Sequence, residues 1–431
     1  MKKILLITVF TIISINYAFS VTLTEALIQT YKNNTELNAE RENVKVSQKD
    51  LIISKADYLP SASITGSKSK EKTNKLTNQG GGDASITDVD PLIATIKLEH
   101  TLVDFGRDAE YKKKKIGINL AEAKLLKKEQ DIFYKAIEAY SGLILANEKL
   151  TINQINLSLL ERQVETDKVR LERGQITVSD LAQSESSLAG AQAQFIQAKN
   201  EIVTNKLNYE NIIGKILNPK SLEKTSESIV SIPQSLNSAI DLSKQNNPDI
   251  TIAKLELEQS EKDIEIAESD LKPTATLSLE RSYSDNLNTT YDKKEKDVLK
   301  ATVSWPFYSG GKKRVTISKN QNLKTRKRLL LDNAIKTNDT IVATAWANLQ
   351  SSKSFLNFVR LQVRAAQIAN EGITAEYERG SGRTTLDVIQ SNTLLLNAKV
   401  SLSNSERNYL LAQYNLLKSV GLLNSNYLKL E

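Results

Sequence analysis

The chain has 431 residues with no cysteine, one histidine (His100) and one methionine, the initiator. This excludes disulfides, a cysteine–histidine metal centre and a lipid on an N-terminal cysteine. The formal net charge is +7, but acidic and basic residues are interspersed, which is not a nucleic-acid footprint, and no nucleic-acid partner is expected. A hydrophobic content of 40% with 6% aromatics suits long helices better than a large globular core.

Residues 1–20 read as a secretory signal. Lys2 and Lys3 form its charged end, Ile4 to Ile15 its apolar stretch, and Ala18-Phe19-Ser20 a small-x-small cleavage site before Val21. The apolar part, about 16 residues long and broken by Ser14 and Asn16, is short for a membrane span. The mature chain is therefore expected outside the cytoplasm, with a net charge near +5 once the two lysines leave. No later stretch is long and apolar enough to cross a bilayer as a helix.

Residues 22–58 follow as a helix, which Pro60 ends, because proline disfavours helical backbone in the residue before it. Near 92–102 the period is two: Leu92, Ala94, Ile96, Leu98, His100 and Leu102 alternate with Ile93, Thr95, Lys97, Glu99 and Thr101. His100 reads as a surface or barrel-facing residue of this strand. A polar loop is expected over 71–91. After Gly106 the period becomes helical, with Leu126, Phe133, Ile137, Tyr140 and Ile144 as an apolar seam. The basic run Lys112 to Lys115 reads as a solvated helix face. Beyond Gly174 the seam is a heptad, Leu181, Leu188, Phe195, Ile202 and Tyr209, beside a small or polar seam of Ser184, Ala191, Ala198 and Asn205.

The chain then repeats itself about 213 residues on. Residues 236–277 copy 23–64 without a gap, with Ala239 at the place of Ala26, Asn246-Asn247 at that of Asn33-Asn34, and Pro273 at that of Pro60. WPFYSGGK at 305–312 matches HTLVDFGR at 100–107, and YERGSGRTTLDVIQ at 377–390 matches LERGQITVSDLAQ at 171–183. Strand alternation returns at Ala275, Leu277 and Leu279 and at Leu299, Ala301, Val303, Trp305 and Phe307, with a loop expected over 284–296. The heptad returns as Val388, Leu395, Leu402, Tyr409 and Leu416 beside Ser391, Ala398, Ser405 and Ala412. Three matched blocks in one order mean a duplicated unit.

The expected organisation is a signal at 1–20 and a first repeat at 21–213, with strands at about 60–104 and a helical hairpin at 106–213. A connecting equatorial segment spans 214–235. The second repeat spans 236–420, with strands at about 273–308 and a hairpin at 311–420, and 421–431 forms a tail. The fold class is mainly α with membrane β-strands. Each long helix after the strands would run about 100 Å, roughly matched by a returning limb of about 50 Å stacked on a pre-strand helix of about 54 Å. Four strands cannot close a barrel, and open edges are not tolerated in hydrocarbon. Two chains would supply eight strands and three would supply twelve.

These residues resemble the outer-membrane efflux channel family, the TolC-like proteins, over essentially the whole mature chain. The resemblance rests on the duplicated NN-x-x-(L/I) helix, the strand-ending proline, the LVDFGR and FYSGGK corners, and the R-G-x(4)-S-D-L and R-G-x(5)-L-D-V-I turns. It implies a homotrimer whose twelve strands form one β-barrel in the outer membrane of a Gram-negative cell, in contact with outer-membrane lipid. Twelve helices would continue it as an α-helical tunnel across the periplasm. It also implies work with a periplasmic adaptor (membrane fusion) protein and an inner-membrane pump or ABC transporter, carrying small toxic molecules or polypeptides out in one step.

Family channels close at the periplasmic tip. By position, Ser179 and Asp180 match the polar pair of the first turn. Tyr377 and Arg383 match the gating tyrosine and arginine of the second, and Asp387 the outer of two acidic positions. The inner acidic position is Gln390 here, and Gly382 is one extra residue in the second turn. Three Asp387 side chains near an axis would focus a negative potential and favour cations. Arg383 would neutralise Asp180 or Asp387 and hold the closed state. Gly174, Gln175, Gly380 and Ser381 are the expected adaptor contacts, as well as helix terminators.

No nucleophile–histidine pair, glycine-rich phosphate loop or metal-ligand spacing is evident, so no enzyme and no cofactor is expected. The expected function is an efflux exit duct. The alternatives are the outer-membrane component of type I protein secretion and, from another class, a periplasmic structural coiled coil without a pore, which would need no alternating strands.

Overall fold

In a computed structural model the described residues are 21–73, 87–216, 218–224, 231–288, 291–380 and 382–430. The expected signal and Ser381 lie outside them. In chain order the elements are α1 (Leu23–Asn33), α2 (Thr35–Ala56), β1 (Ser61–Lys68), β2 (Glu71–Thr73), β3 (Thr87–Val89) and β4 (Leu92–Val103). There follow α3 (Arg107–Glu172), α4 (Val178–Ile212), α5 (Leu236–Asn246), α6 (Pro248–Ser269), β5 (Thr274–Asn288) and β6 (Tyr291–Ser304). The last are α7 (Lys312–Glu378), α8 (Thr385–Ser419) and α9 (Ser425–Leu428). The duplication is visible in the helix lengths: 11, 22, 66 and 35 residues in the first copy, 11, 22, 67 and 35 in the second.

The single pre-strand helix expected in each copy is two helices. Asn34 takes an extended conformation (φ −66°, ψ 124°). Its Oδ1 accepts from Leu37 N at 3.1 Å, capping α2, and its Nδ2 donates to Ile212 O at 3.0 Å. Asn247 takes the same conformation, donates to Ser419 O at 3.0 Å, and precedes Pro248, which opens α6. The repeated asparagine pair is thus a built helix break, because a short amide can serve one helix as a cap while tying the chain to another segment.

The chain forms two compact units, and each draws on both repeats. The first takes 21–38, 128–247 and 339–430; the second takes 39–127 and 248–338. In the first unit, Phe133, Ile137, Tyr140 and Leu143 of α3 are fully buried against Leu23 and Ala26 of α1, Tyr209 of α4, and Tyr414 and Leu417 of α8. Burying each such large side chain contributes roughly 1.5–3 kcal/mol. Tyr140 Oη lies 2.7 Å from the carbonyls of both Val21 and Glu223, fastening the first described residue and the connecting segment to α3. Burial and the neighbouring Tyr209 push its phenol well above the usual tyrosine range. On α4 the small seam is the buried one: Ser184, Ala191 and Ala198 are inside, while Leu188 and Phe195 are half-buried.

The second unit holds a four-stranded antiparallel sheet in the order β1-β4-β5-β6. The expected loop over 284–296 is strand instead, since β5 and β6 run to Asn288 and from Tyr291. Its charged composition suggests a loop. The charges pair across the strands, with Arg281 at 3.3 Å from Glu295 and 3.8 Å from Asp297, so the pleat tolerates them. The expected loop over 71–91 also carries strand, the two-stranded β2–β3 ribbon.

Candidate functional site

The register splits the sheet into two unlike faces. One carries the row Ala62, Leu98, Leu279, Leu299 and the row His100, Leu277, Ala301. The other carries Ser61, Glu99, Ser278, Lys300 and Thr65, Thr95, Ser282, Lys296. These rows are bare, with Leu299 and Val303 each 72% exposed; further along the same face Ile64 and Ile96 share a row with Arg281 and Asp297, where the apolar band ends. Strands β1 and β6 each have one sheet neighbour among the described residues, so each offers an edge.

The two helical turns form the other site. Gly174 ends α3 with φ +69°. Its N–H donates to Leu171 O at 2.9 Å, while Gln175 N–H donates to Arg170 O at 2.9 Å, a glycine-terminated helix end of the Schellman type. Gly380 (φ +74°) ends α7, and Gly382, the extra residue, also has positive φ at +82°. Each following helix opens with a capping box. Asp180 Oδ2 accepts from Thr177 N at 2.9 Å and Oγ1 at 2.8 Å. Asp387 Oδ2 accepts from Thr384 N at 2.8 Å and Oγ1 at 2.9 Å. These bonds, the backbone one first, hold both carboxyls below their ordinary value. Two residues singled out as tip acids are therefore also the acidic partners in the capping boxes of α4 and α8, whose caps are Thr177 and Thr384.

Ser179 is exposed in the first turn of α4. Arg383 Nε lies 2.6 Å from Glu376, one residue before Tyr377, and this contact raises its already high pKa. Where residue types alone suggest a bond to Asp180 or Asp387, the carboxylate it reaches within the chain is Glu376, because the two aspartates are turned to their own helix ends. Gln175 and Gly380 are exposed at the turns.

Tyr377 is buried, and it marks a network that sequence reasoning missed. Its hydroxyl donates to Asp167 Oδ1 at 3.0 Å and lies 2.9 Å from Thr385 Oγ1. Ser184 Oγ donates to Asp167 Oδ2 at 2.5 Å, and Gln163 Nε2 to Oδ1 at 3.0 Å. The Arg170 guanidinium lies 4.1 Å over the Tyr377 ring. Asp167 is fully buried, and α3, α4 and α7 meet at its carboxylate, with α8 joined through Thr385 on the Tyr377 hydroxyl. A signal existed: Asp167 continues the buried stripe Leu160, Val164 at helical spacing, and a carboxylate on such a stripe must be met by donors. The network holds these helices together. Among the described residues no group of histidine, aspartate or glutamate is placed to hold a metal ion.

A family model described as outer membrane efflux protein matches residues 26–215 and 239–422, one block per repeat. The chain is 26% identical over 428 residues to the outer membrane efflux protein BepC of Brucella suis, covering 98% of this chain and 90% of that protein. It is 22% identical over 436 residues to the proteases secretion protein PrtF of Dickeya chrysanthemi, covering 98% and 93%. Among solved structures, the CmeC outer membrane channel of Campylobacter jejuni superposes with a TM-score of 0.82 at 16% identity, covering 93% and 85%. With the family model spanning both repeats, this chain belongs to the outer membrane efflux protein family, and its place is the outer membrane.

Proposed function

We propose that three copies of the chain close a twelve-stranded barrel in the outer membrane and continue it as a helical tunnel across the periplasm. This duct serves an inner-membrane pump through a periplasmic adaptor and carries small molecules out of the cell. The observation that carries the reading is the sheet, with an apolar band on one face, a polar opposite face and two open edges. Hydrocarbon does not tolerate open edges. Joining β6 of one copy to β1 of the next satisfies both, turns the leucine rows to lipid, and leaves the serine, threonine and charged rows to line a wet bore. A coiled coil without a pore has no use for such a sheet.

In this reading the tip is the gate. The Asp167–Tyr377 bond ties the second hairpin to the first, and opening is a shift between two packings of these helices. Ser179, Asp180, Arg383 and Asp387 stand around the narrow end. Gly174, Gln175, Gly380 and Ser381 face the adaptor. A second reading, an exit duct for secreted protein, is supported by the likeness to PrtF across 98% of the chain. Complementation separates the two: restored resistance to small toxic compounds marks efflux, and restored export of a protein marks secretion.

Single-channel conductance in planar bilayers tests the duct, with wild type beside the double variant Asp167→Asn, Tyr377→Phe. Small, cation-favouring currents that grow in the variant support it. Absence of current from folded, inserted protein overturns the pore. Large currents unchanged by the variant remove the gate from this network.

A further inference from the structure

The apolar face continues past the strands. On β6 it runs Leu299, Ala301, Val303, and Trp305 and Phe307 follow directly after the strand in a tight turn, where Phe307 N–H donates to Trp305 O at 2.9 Å. Trp305 is 64% exposed, Phe307 86% and Tyr308 80%. Phe105 after β4 and Tyr58 before β1 are exposed as well. The indole of Trp305 is oriented, donating from Nε1 to Leu271 O at 3.1 Å.

Cations interleave with these rings. Lys272 Nζ lies 5.1 Å from the Phe105 ring centre, and the Arg107 guanidinium lies 4.9 Å over Tyr58. Lys312, Lys313 and Arg314 open α7, whose first turn has no acidic residue. Three positive charges thus sit at the positive end of a helix dipole, which is unfavourable within the chain. Helix α3, by contrast, opens with Asp108 and Glu110 beside Arg107, and its Lys112 and Lys113 are paired with Asp108 and Asp263, each at 2.7 Å. Among the described residues Arg107, Lys272, Lys312 and Arg314 have no carboxylate partner.

We propose that this strand-to-helix corner is a docking surface for anionic phospholipid. The aromatic side chains seat in the interfacial layer of the leaflet nearest the helices, and Arg107, Lys272, Lys312 and Arg314 take the phosphate headgroups. The surface rests on the barrel reading above. Exposed aromatics flank the apolar band of membrane barrels at the interfaces, and here they are continuous with that band. A second copy of the chain is the poorer occupant, since these rings adjoin the apolar band that the barrel reading turns to lipid. Each cation near an anionic lipid surface is worth about five-fold in local lipid occupancy.

The chain has two tryptophans, Trp305 and Trp346, so Trp346→Phe leaves the corner indole as the sole reporter. The full chain is reconstituted in mixed vesicles of phosphatidylcholine and phosphatidylglycerol, with one lipid at a time brominated on its acyl chain. The expected result is Trp305 quenching by both lipids, with phosphatidylglycerol enriched at least about five-fold over its bulk share, the worth of one interfacial cation. That excess should fall sharply in Lys272→Gln, Lys312→Gln, Arg314→Gln, which keeps only Arg107 of the four and whose conductance reports that it is folded. Quenching by both lipids in bulk proportion overturns headgroup selection and leaves the barrel standing. An excess untouched by the triple variant overturns the assignment to these cations. Conducting vesicles with no quenching mean that another copy covers the corner, and overturn this proposal alone. Neither quenching nor conductance overturns it together with the barrel.

Discussion

The helical turns and the strand sheet are opposite solutions to the same accounting of polar and apolar groups. At the turns, every polar atom that the fold buries around Tyr377 has a partner within the chain: Asp167 takes three donors, and each following helix caps itself. In the sheet, the chain leaves its leucines bare and two edges open. The lesson is that self-sufficiency is local. The turns can be finished by one chain; on the proposed reading the sheet is finished by lipid and other copies. Perturbing the sheet should therefore act on assembly, and perturbing the turns on the conformation of an assembled protein.

The sharpest way to break the comparison is a cation on the bare face. Leu279→Arg, in the middle of the Leu98–Leu279–Leu299 row, should destabilise insertion by about 2–4 kcal/mol per chain. Gel analysis of extracted membranes should show loss of the assembled species. Assembly unchanged by this variant would mean that the face is not in hydrocarbon. Next comes Asp167→Ala, which removes the acceptor shared by Tyr377, Ser184 and Gln163 in a buried site and should cost about 1–3 kcal/mol. Its expected signature is intact assembly with raised conductance and faster hydrogen exchange near residues 163–185 and 377–390.

Smaller effects come from the caps. Thr384→Ala removes the hydroxyl that caps α8 and should weaken that helix start by about 1 kcal/mol, read as faster exchange over its first turn. The acid side of the same box gives a pH dependence with a definite sign. Asp180 and Asp387 are held below their unfolded values, so their contribution is fully present above about pH 3.9. It is lost as pH falls through the lower folded values. Protection from exchange, relative to the unfolded chain, at the starts of α4 and α8 should be flat across neutral pH and fall only in strong acid; a fall near pH 6 would contradict the capping assignment. The smallest expected change is Arg383→Gln. Its partner Glu376 is surface-exposed, so the melting temperature should not move. A shift in conductance without one would assign Arg383 to contacts between copies.

Much of this was readable from residue order. Two matched asparagine pairs, two prolines and two glycine corners announced the duplication, and alternation at 92–102 announced β4. The hidden parts share a cause: side chains whose role depends on what lies opposite. The charged run after Asp292 looks like a loop until Arg281 faces Glu295. Asp180 and Asp387 read as tip acids alone until the backbone shows that they also bond back to their own helix starts. The small seam of Ser184, Ala191 and Ala198 looks secondary to the heptad leucines, yet it is the buried one, because small side chains let helix backbones approach.

Periodicity, prolines and glycines were enough to specify the elements, their order and their duplication, because those depend on near neighbours along the chain. Which residues share Asp167 was decided only when α3, α4, α7 and α8 came together. Its donors lie 4, 17 and 210 positions away, and no local pattern encodes such a meeting. The same holds for the compact units, which cut across both repeats because burial follows proximity in space, whatever the order along the chain.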